Sequence, residues 1–292
     1  MNGILLIDKP ADWTSNDVVV KLKGVLHERR IGHAGTLDPM ATGLLTVFVG
    51  RATRAVQFAE GHDKRYTAHL RLGLVTDTQD TTGTVLTQND ASAVTADALR
   101  AVLADFVGEQ EQLPPMYSAI KVKGKRLYDI ARAGGTVERK PRHIRIHELT
   151  LIGREGEDWV LDVACSKGTY IRALCHDIGA ALGCGGCMSA LRRTHAGDYS
   201  LENAHTLDEV ISAAAEGGAE RLLLPVDSLF AALPEWRAAP GDERRIKCGT
   251  AVNAPGTPDG EYRVYAESGE LLMLGRVENG VMTTVKSFFE VK

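Results

Sequence analysis

A chain of 292 residues, 44% hydrophobic and 25% charged, is long enough to bury a full core, and its composition excludes a disordered or fibrous polypeptide. Its formal charge of −4 gives no overall attraction for phosphate, so a polyanionic partner has to be met by one face and not by the whole molecule. No stretch is apolar enough to span a bilayer, the first apolar run (residues 3–7) is too short for a leader peptide, and five cysteines, an odd number, point to reduced thiols in a cytoplasmic protein.

In chain order, residues 3–7 (GILLI) read as a buried strand. Ser15 or Asn16 then caps a helix whose apolar face is Val18, Val19, Leu22, Val25 and Leu26. The glycine-rich run GHAGTLDPMATGLL, residues 32–45, leads straight into a continuous apolar strand at 44–49. Apolar residues alternate at 66–72 and 159–165, as in strands of a mostly antiparallel sheet. Helical periodicity occupies 96–107 and 170–182, each preceded by a threonine (Thr95, Thr169) able to cap it. The fold class is therefore α+β, a mixed and mostly antiparallel sheet flanked by helices. After about residue 230 prolines and glycines punctuate short strands at 262–267, 271–277 and 281–287, which marks a larger domain at 1–232 and a small β domain at 233–292.

Charge is unevenly spread. Residues 117–147 hold nine Lys or Arg against two acids, whereas residues 201–292 hold nine against fifteen. Poles of opposite sign fit a chain that meets a polyanion through one face, although a basic run is also how an ordinary solvated surface looks.

The glycine-rich loop carries a single acid, Asp38. Gly32, Gly35 and Gly43 permit positive φ and close backbone approach, and Pro39 biases Asp38 toward an extended conformation, so the backbone aims the carboxylate. The same composition also makes a common turn, and no Gly-Lys-Ser/Thr follows to form a phosphate cradle. The run from Gly32 to Pro39 followed by Ala41-Thr42-Gly43 resembles the catalytic signature of the TruB family of tRNA pseudouridine synthases. Further segments agree in the same order: NGILLIDKP at 2–10, DKRY at 63–66, Leu72-Gly73 with Thr76-Asp77, PMYSA at 115–119, CSKGTYIR at 165–172, and Leu191-Arg192-Arg193.

The resemblance implies a pseudouridine synthase fold with a small PUA-like β domain, and isomerisation of uridine 55 in the tRNA T-loop. It places the essential aspartate at Asp38, substrate contacts at His33, Tyr66, Tyr170 and Leu191, and the aspartate's basic partner at Arg172. It implies no metal or organic cofactor and a tRNA partner, whose elbow the basic tract can embrace; no membrane and no obligate protein partner are expected from the sequence, and a monomer is the expected form. Pseudouridylation breaks the N1–C1′ bond, turns the trapped uracil and joins C1′ to C5. A carboxylate serves either by attacking C1′ or by removing the 2′ proton, and both routes need it ionised. Burial alone neutralises an acid, which an always-charged guanidinium opposes.

Tyr66 offers a ring face and a hydroxyl, and Tyr170 the same at the start of a helix; either is also ordinary core chemistry. His33 is a flat ring able to fill the gap left by a flipped base. Lys64, Arg65, Arg192 and Arg193 join the basic tract as candidate phosphate contacts. Cys184-Gly185-Gly186-Cys187, with Cys175 and His176 near in sequence, is the one arrangement able to suggest zinc or redox cycling, and it lacks a second knuckle. Two rival readings stay open on the sequence alone: a tRNA-binding chaperone, and a small-molecule carboxylate or metal enzyme using Asp38, His33 and His62.

Overall fold

A computed structural model describes residues 1–118, 121–122, 124–132, 134–135 and 137–289. By their contacts the residues form two units, one of Met1–Pro39, Leu45–Gly61 and Asn203–Lys292, the other of Met40–Leu44 with His62–Glu202.

In the first unit, strand β1 (Gly3–Lys9) and the later residues of β3 (Thr42–Val49) are apolar and nearly wholly buried, as a strand covered on both faces must be. Strand β2 (Ile31–Ala34) runs antiparallel to β3, with His33 opposite Val47. Helix α1 (Ser15–Val25) starts one residue earlier than expected. Thr14, not Ser15 or Asn16, is its cap, because Thr14 and Asp17 form a reciprocal capping box that neither other residue can close. Its apolar face is as read: Val18, Val19 and Leu22 pack with Leu5, Ile7, Leu45, Val47 and with Leu207 and Val210 of helix α6 (Leu207–Ala215). A one-turn helix α2 (Val56–Ala59) follows β3, and Phe58 meets Phe230 edge to face at 5.3 Å.

The C-terminal segment of this unit is a five-stranded sheet in the order β14–β16–β17–β18–β15, built from Glu235–Arg237 (β14), Val252–Asn253 (β15), Gly260–Tyr265 (β16), Leu271–Glu278 (β17) and Val281–Ser287 (β18). Helix α7 (Pro240–Lys247), with proline in its first turn, closes it over a core that includes Ile246, Val252, Val264, Leu272, Val277 and Met282. Three of these strands are those expected from the periodicity; β14, β15 and α7 are too short to show one.

In the second unit the sheet order is β12–β4–β11–β10–β7, all antiparallel: Gly186–Ala196 (β12), Lys64–Leu72 (β4), Asp158–Cys165 (β11), Arg142–Glu155 (β10) and Gly108–Gln112 (β7). The first residues of β3 add to β12 in parallel, Thr42 opposite Arg192 and Gly43 opposite Arg193, which makes the sheet mixed. Helix α3 (Ala96–Asp105) packs on β10, and helix α5 (Ile171–Ala181) on β12 and β4. Thr95 caps α3 by accepting from the Ala98 amide. Thr169 does not cap α5: its hydroxyl donates to the Ser166 carbonyl, and Tyr170 is the cap residue with no side-chain bond of its own. Smaller pieces complete the unit: the hairpin β5 (Leu74–Thr76) and β6 (Val85–Gln88), the pair β8 (Lys121–Val122) and β9 (Lys125–Arg126), helix α4 (Leu127–Arg132) and β13 (Tyr199–Ser200). No helix among the described residues is long and apolar enough to cross a membrane.

Candidate active site

Within the first unit, Asp38 is half-buried in the loop between β2 and β3, and the residues on both sides of it are anchored. Before it, Leu37 is buried and its amide donates to Ser15 Oγ at 2.9 Å. After it, the Pro39 carbonyl accepts from Lys9 Nζ at 3.1 Å and from the Asp12 amide at 2.9 Å. Lys9, fully buried at 0% exposure, also donates to the carbonyls of Pro10 and Trp13, so an ammonium group is held by backbone dipoles beneath the loop. Gly35 sits at φ 75° as the turn requires, while Gly32 lies in β2 opposite Phe48 with no positive φ. His33, on β2, is half-buried.

Within the second unit, Tyr66 and Leu191 lie on adjacent strands and on one face of the sheet. Tyr66 pairs with Arg193 and Ala68 with Leu191, so period two puts Tyr66, Ala68, Leu191 and Arg193 together, all buried. Gly43, at φ 96°, completes this edge: a Cβ there falls 2.3 Å from the Arg193 carbonyl oxygen. Helix α5 begins immediately after Tyr170, and Arg172 in its first turn is 5% exposed, not the surface arginine that its place on a helix allows. Its Nη1 donates to the Thr78 carbonyl at 3.0 Å and its Nη2 to the Tyr117 carbonyl at 2.7 Å, and Nη1 lies 3.6 Å from Asp80 Oδ2.

Asp80 is itself buried. It accepts from the Thr82 amide at 3.0 Å and from the hydroxyls of Thr82 and Thr78. Sequence reading missed Asp80, although Asp80-Thr81-Thr82 has the spacing of a side chain that bonds the amide two residues on. It also missed Gln112 at the end of β7. The Gln112 side-chain amide donates to the Tyr170 carbonyl at 3.1 Å and accepts from the Tyr170 amide at 2.8 Å.

All four expected phosphate contacts also bond within the chain: Lys64 Nζ donates to the His62 carbonyl and Arg192 Nη1 to Thr42 Oγ1 at 3.2 Å. Arg65 forks onto Asp162 and also reaches Glu148 at 2.9 Å, and Arg193 is buried with its Nε donating to the Leu44 carbonyl at 2.7 Å. Lys64 is half-buried and sits below the ordinary lysine range, chiefly through burial and secondly through the nearby positive charge of Arg193. The basic tract lies partly outside the described residues, Lys123 among them, as does Ala119 of the PMYSA segment.

The cysteines do not form a reactive cluster. Burial pushes the Cys187 thiol up to about 11 and raises Cys175 further, Cys184 is buried, and among the described residues no three His, Cys, Asp or Glu are grouped to hold a metal ion. His62, the third residue of the metal-enzyme reading, is held below the usual histidine range, mainly by burial and then by Lys64.

Similarity to known proteins identifies the family. The model of the TruB family pseudouridylate synthase N-terminal domain matches residues 23–171, and that of the tRNA pseudouridylate synthase B C-terminal domain matches 172–231. A protein named tRNA pseudouridine synthase B from Azoarcus sp. (strain BH72) is 44% identical over 96% of this chain and 92% of its own, and one of the same name from Thermobifida fusca (strain YX) is 41% identical over 98% of each. Among solved structures, a chain of a Cbf5-Nop10-Gar1 complex is 27% identical with TM-score 0.75, over 98% of this chain and 85% of that one. A chain of an H/ACA RNP bound to a substrate RNA containing 2′-deoxyuridine is 25% identical with TM-score 0.74, over 99% and 85%. With its signature loop, its sheet and both family domains in place, the chain belongs to the TruB family of pseudouridine synthases.

Proposed function

We propose that the protein converts uridine 55 in the T-loop of tRNA to pseudouridine, and that Asp38 is its catalytic group. One observation carries the reading: proteins named tRNA pseudouridine synthase B match this chain almost end to end, and its single signature acid stands in a loop anchored on both sides. A rigid loop suits a reaction whose acid must meet one sugar carbon, since holding reacting groups in place removes much of the entropic barrier.

The target nucleotide leaves its stack, and Asp38 opens the N1–C1′ bond by attacking C1′ or by taking the 2′ proton. The uracil turns and C5 bonds to C1′. The C5 hydrogen then leaves as a proton and N1 gains one, so nothing is oxidised and no metal or cofactor is called for. In this reading Arg172 is the aspartate's basic partner, with Asp80 and two carbonyls fixing its guanidinium. Tyr66 faces the base and passes the C5 proton, Tyr170 and Leu191 pack at the uracil, and His33 stacks within the RNA loop. Residues 1–232 perform the chemistry, while 233–292 form a PUA-like module on the acceptor side of the tRNA. The protein works as a cytoplasmic monomer without an obligate protein partner.

Tritium release from an unmodified tRNA transcript carrying C5-tritiated uridine tests the reading. Wild-type protein is expected to release one equivalent, and none from a transcript with cytidine at position 55. Release by Asp38→Ala, or from the cytidine transcript, refutes it.

A further inference from the structure

Ser15 opens α1, yet its hydroxyl has no part in capping that helix, which Thr14 and Asp17 accomplish between them. The hydroxyl turns instead to the loop 22 residues further on. Its Oγ accepts from the Leu37 amide at 2.9 Å and donates to the Leu37 carbonyl at 3.1 Å, in a site where Ser15 is 1% exposed. The Leu37 carbonyl belongs to the peptide that joins Leu37 to Asp38, so one hydroxyl holds both polar atoms of the residue before the acid. On the far side the Pro39 carbonyl is held by Lys9 and Asp12. With Leu37 and Pro39 held on either side of it, the Cα–Cβ direction of Asp38 is constrained.

We propose that Ser15 is a positioning residue for Asp38, the two-way hydroxyl clamp on Leu37 fixing where the carboxylate points. The inference rests on the reading of Asp38 as the reacting acid. Few side chains can do this. The group has to donate and accept at once on a one-carbon stem, which a serine hydroxyl does, a thiol does weakly, and a methyl group does not. α1 supplies the rigidity, because its buried face is part of the unit's core.

The test compares Ser15→Ala, Ser15→Cys and wild type at a temperature where thermal unfolding shows all three folded. Two quantities are read: the single-turnover rate of pseudouridine formation at saturating enzyme, and the dissociation constant for tRNA by filter binding. A small misplacement of a reacting group costs up to about a hundredfold in rate. Ser15→Ala is expected to lose at least tenfold in rate with tRNA affinity within twofold of wild type, and Ser15→Cys to recover part of the loss. A wild-type rate in Ser15→Ala overturns the inference, as does a loss of rate matched by an equal loss of tRNA affinity. Should Ser15→Ala not fold, Ser15→Cys alone decides, and a wild-type rate there rejects the clamp. Asp38→Ala run beside them separates the two claims: if it is active the catalytic reading fails, whereas if it is inactive and Ser15→Ala is unimpaired only the clamp fails.

Discussion

Replacing Gln112 with methionine removes a remote cap from α5. The helix begins at Tyr170 with no side-chain cap of its own, and the Gln112 amide supplies the missing acceptor while also donating to the Tyr170 carbonyl. Methionine keeps the volume of a 3% exposed side chain and loses both bonds. A neutral hydrogen bond contributes about 0.5–1.5 kcal/mol, and a buried donor left alone costs about 1–3. The pair therefore predicts a loss of about 2–3 kcal/mol. For a chain of this size each kcal/mol moves the melting temperature by about 2–4 °C, so a fall of about 5–10 °C is expected. The loss should be local as well, with amides in the first turn of α5 exchanging hydrogen faster than those at its middle. Gln112→Glu sharpens the sign. Its carboxylate can accept from the Tyr170 amide but sets an oxygen against the Tyr170 carbonyl, which raises its folded pKa. The variant is then most stable below the ordinary glutamate pKa, where the protonated group can donate, and weakens as pH rises through the raised value. Thermal unfolding of Gln112→Met within 1 °C of wild type, with unchanged exchange in α5, refutes the reasoning.

Other perturbations follow from the same geometry. Lys9→Met leaves the carbonyls of Pro10, Trp13 and Pro39 without their charged donor, and relief of the buried charge offsets only part of this. A loss of about 2–4 kcal/mol is expected in urea unfolding, and a midpoint equal to wild type counts against it. Gly43→Ala places a methyl 2.3 Å from the Arg193 carbonyl oxygen and 2.8 Å from its amide nitrogen, at φ 96°. It should separate β3 from β12 at a cost above about 2 kcal/mol, read from the same unfolding curve. A disulfide reagent at pH 8 should label Cys248 rapidly and the other four thiols only after unfolding. Cys248 alone is exposed, and Cys165 and Cys187, pushed up to about 11 by burial, are almost wholly protonated there; two or more fast thiols contradict this.

Most of the fold was legible where burial leaves a local period. β1, β3, β4 and β11 were found from apolar runs and alternation, and the apolar face of α1 from its spacing. The caps of α1 and α5 were misassigned because a cap is chosen by which bond closes, and at Thr169 a competing bond to Ser166 wins. β12 escaped because register shifts between Met188 and Ala190 and between Arg193 and His195 break the alternation, and because Arg193 is interior, bonded to the Leu44 carbonyl. The signature acid was legible through its motif alone; nothing in the loop's composition separates Asp38 from a turn residue. The residues that hold the site's backbone were not legible at all. Ser15 reaches Leu37 across 22 positions and Gln112 reaches Tyr170 across 58, and no local pattern records such pairs.

The proposed reaction needs the charge of the Asp38 carboxylate. Asp38→Asn keeps the side chain's shape and removes its charge, so a single-turnover assay with an unmodified tRNA transcript, paired with filter binding, isolates that charge. The proposed role of Asp38 predicts tRNA affinity within about twofold of wild type and no pseudouridine at position 55 over a time in which wild-type protein converts all of its substrate. Pseudouridine formed by Asp38→Asn at the wild-type rate contradicts it.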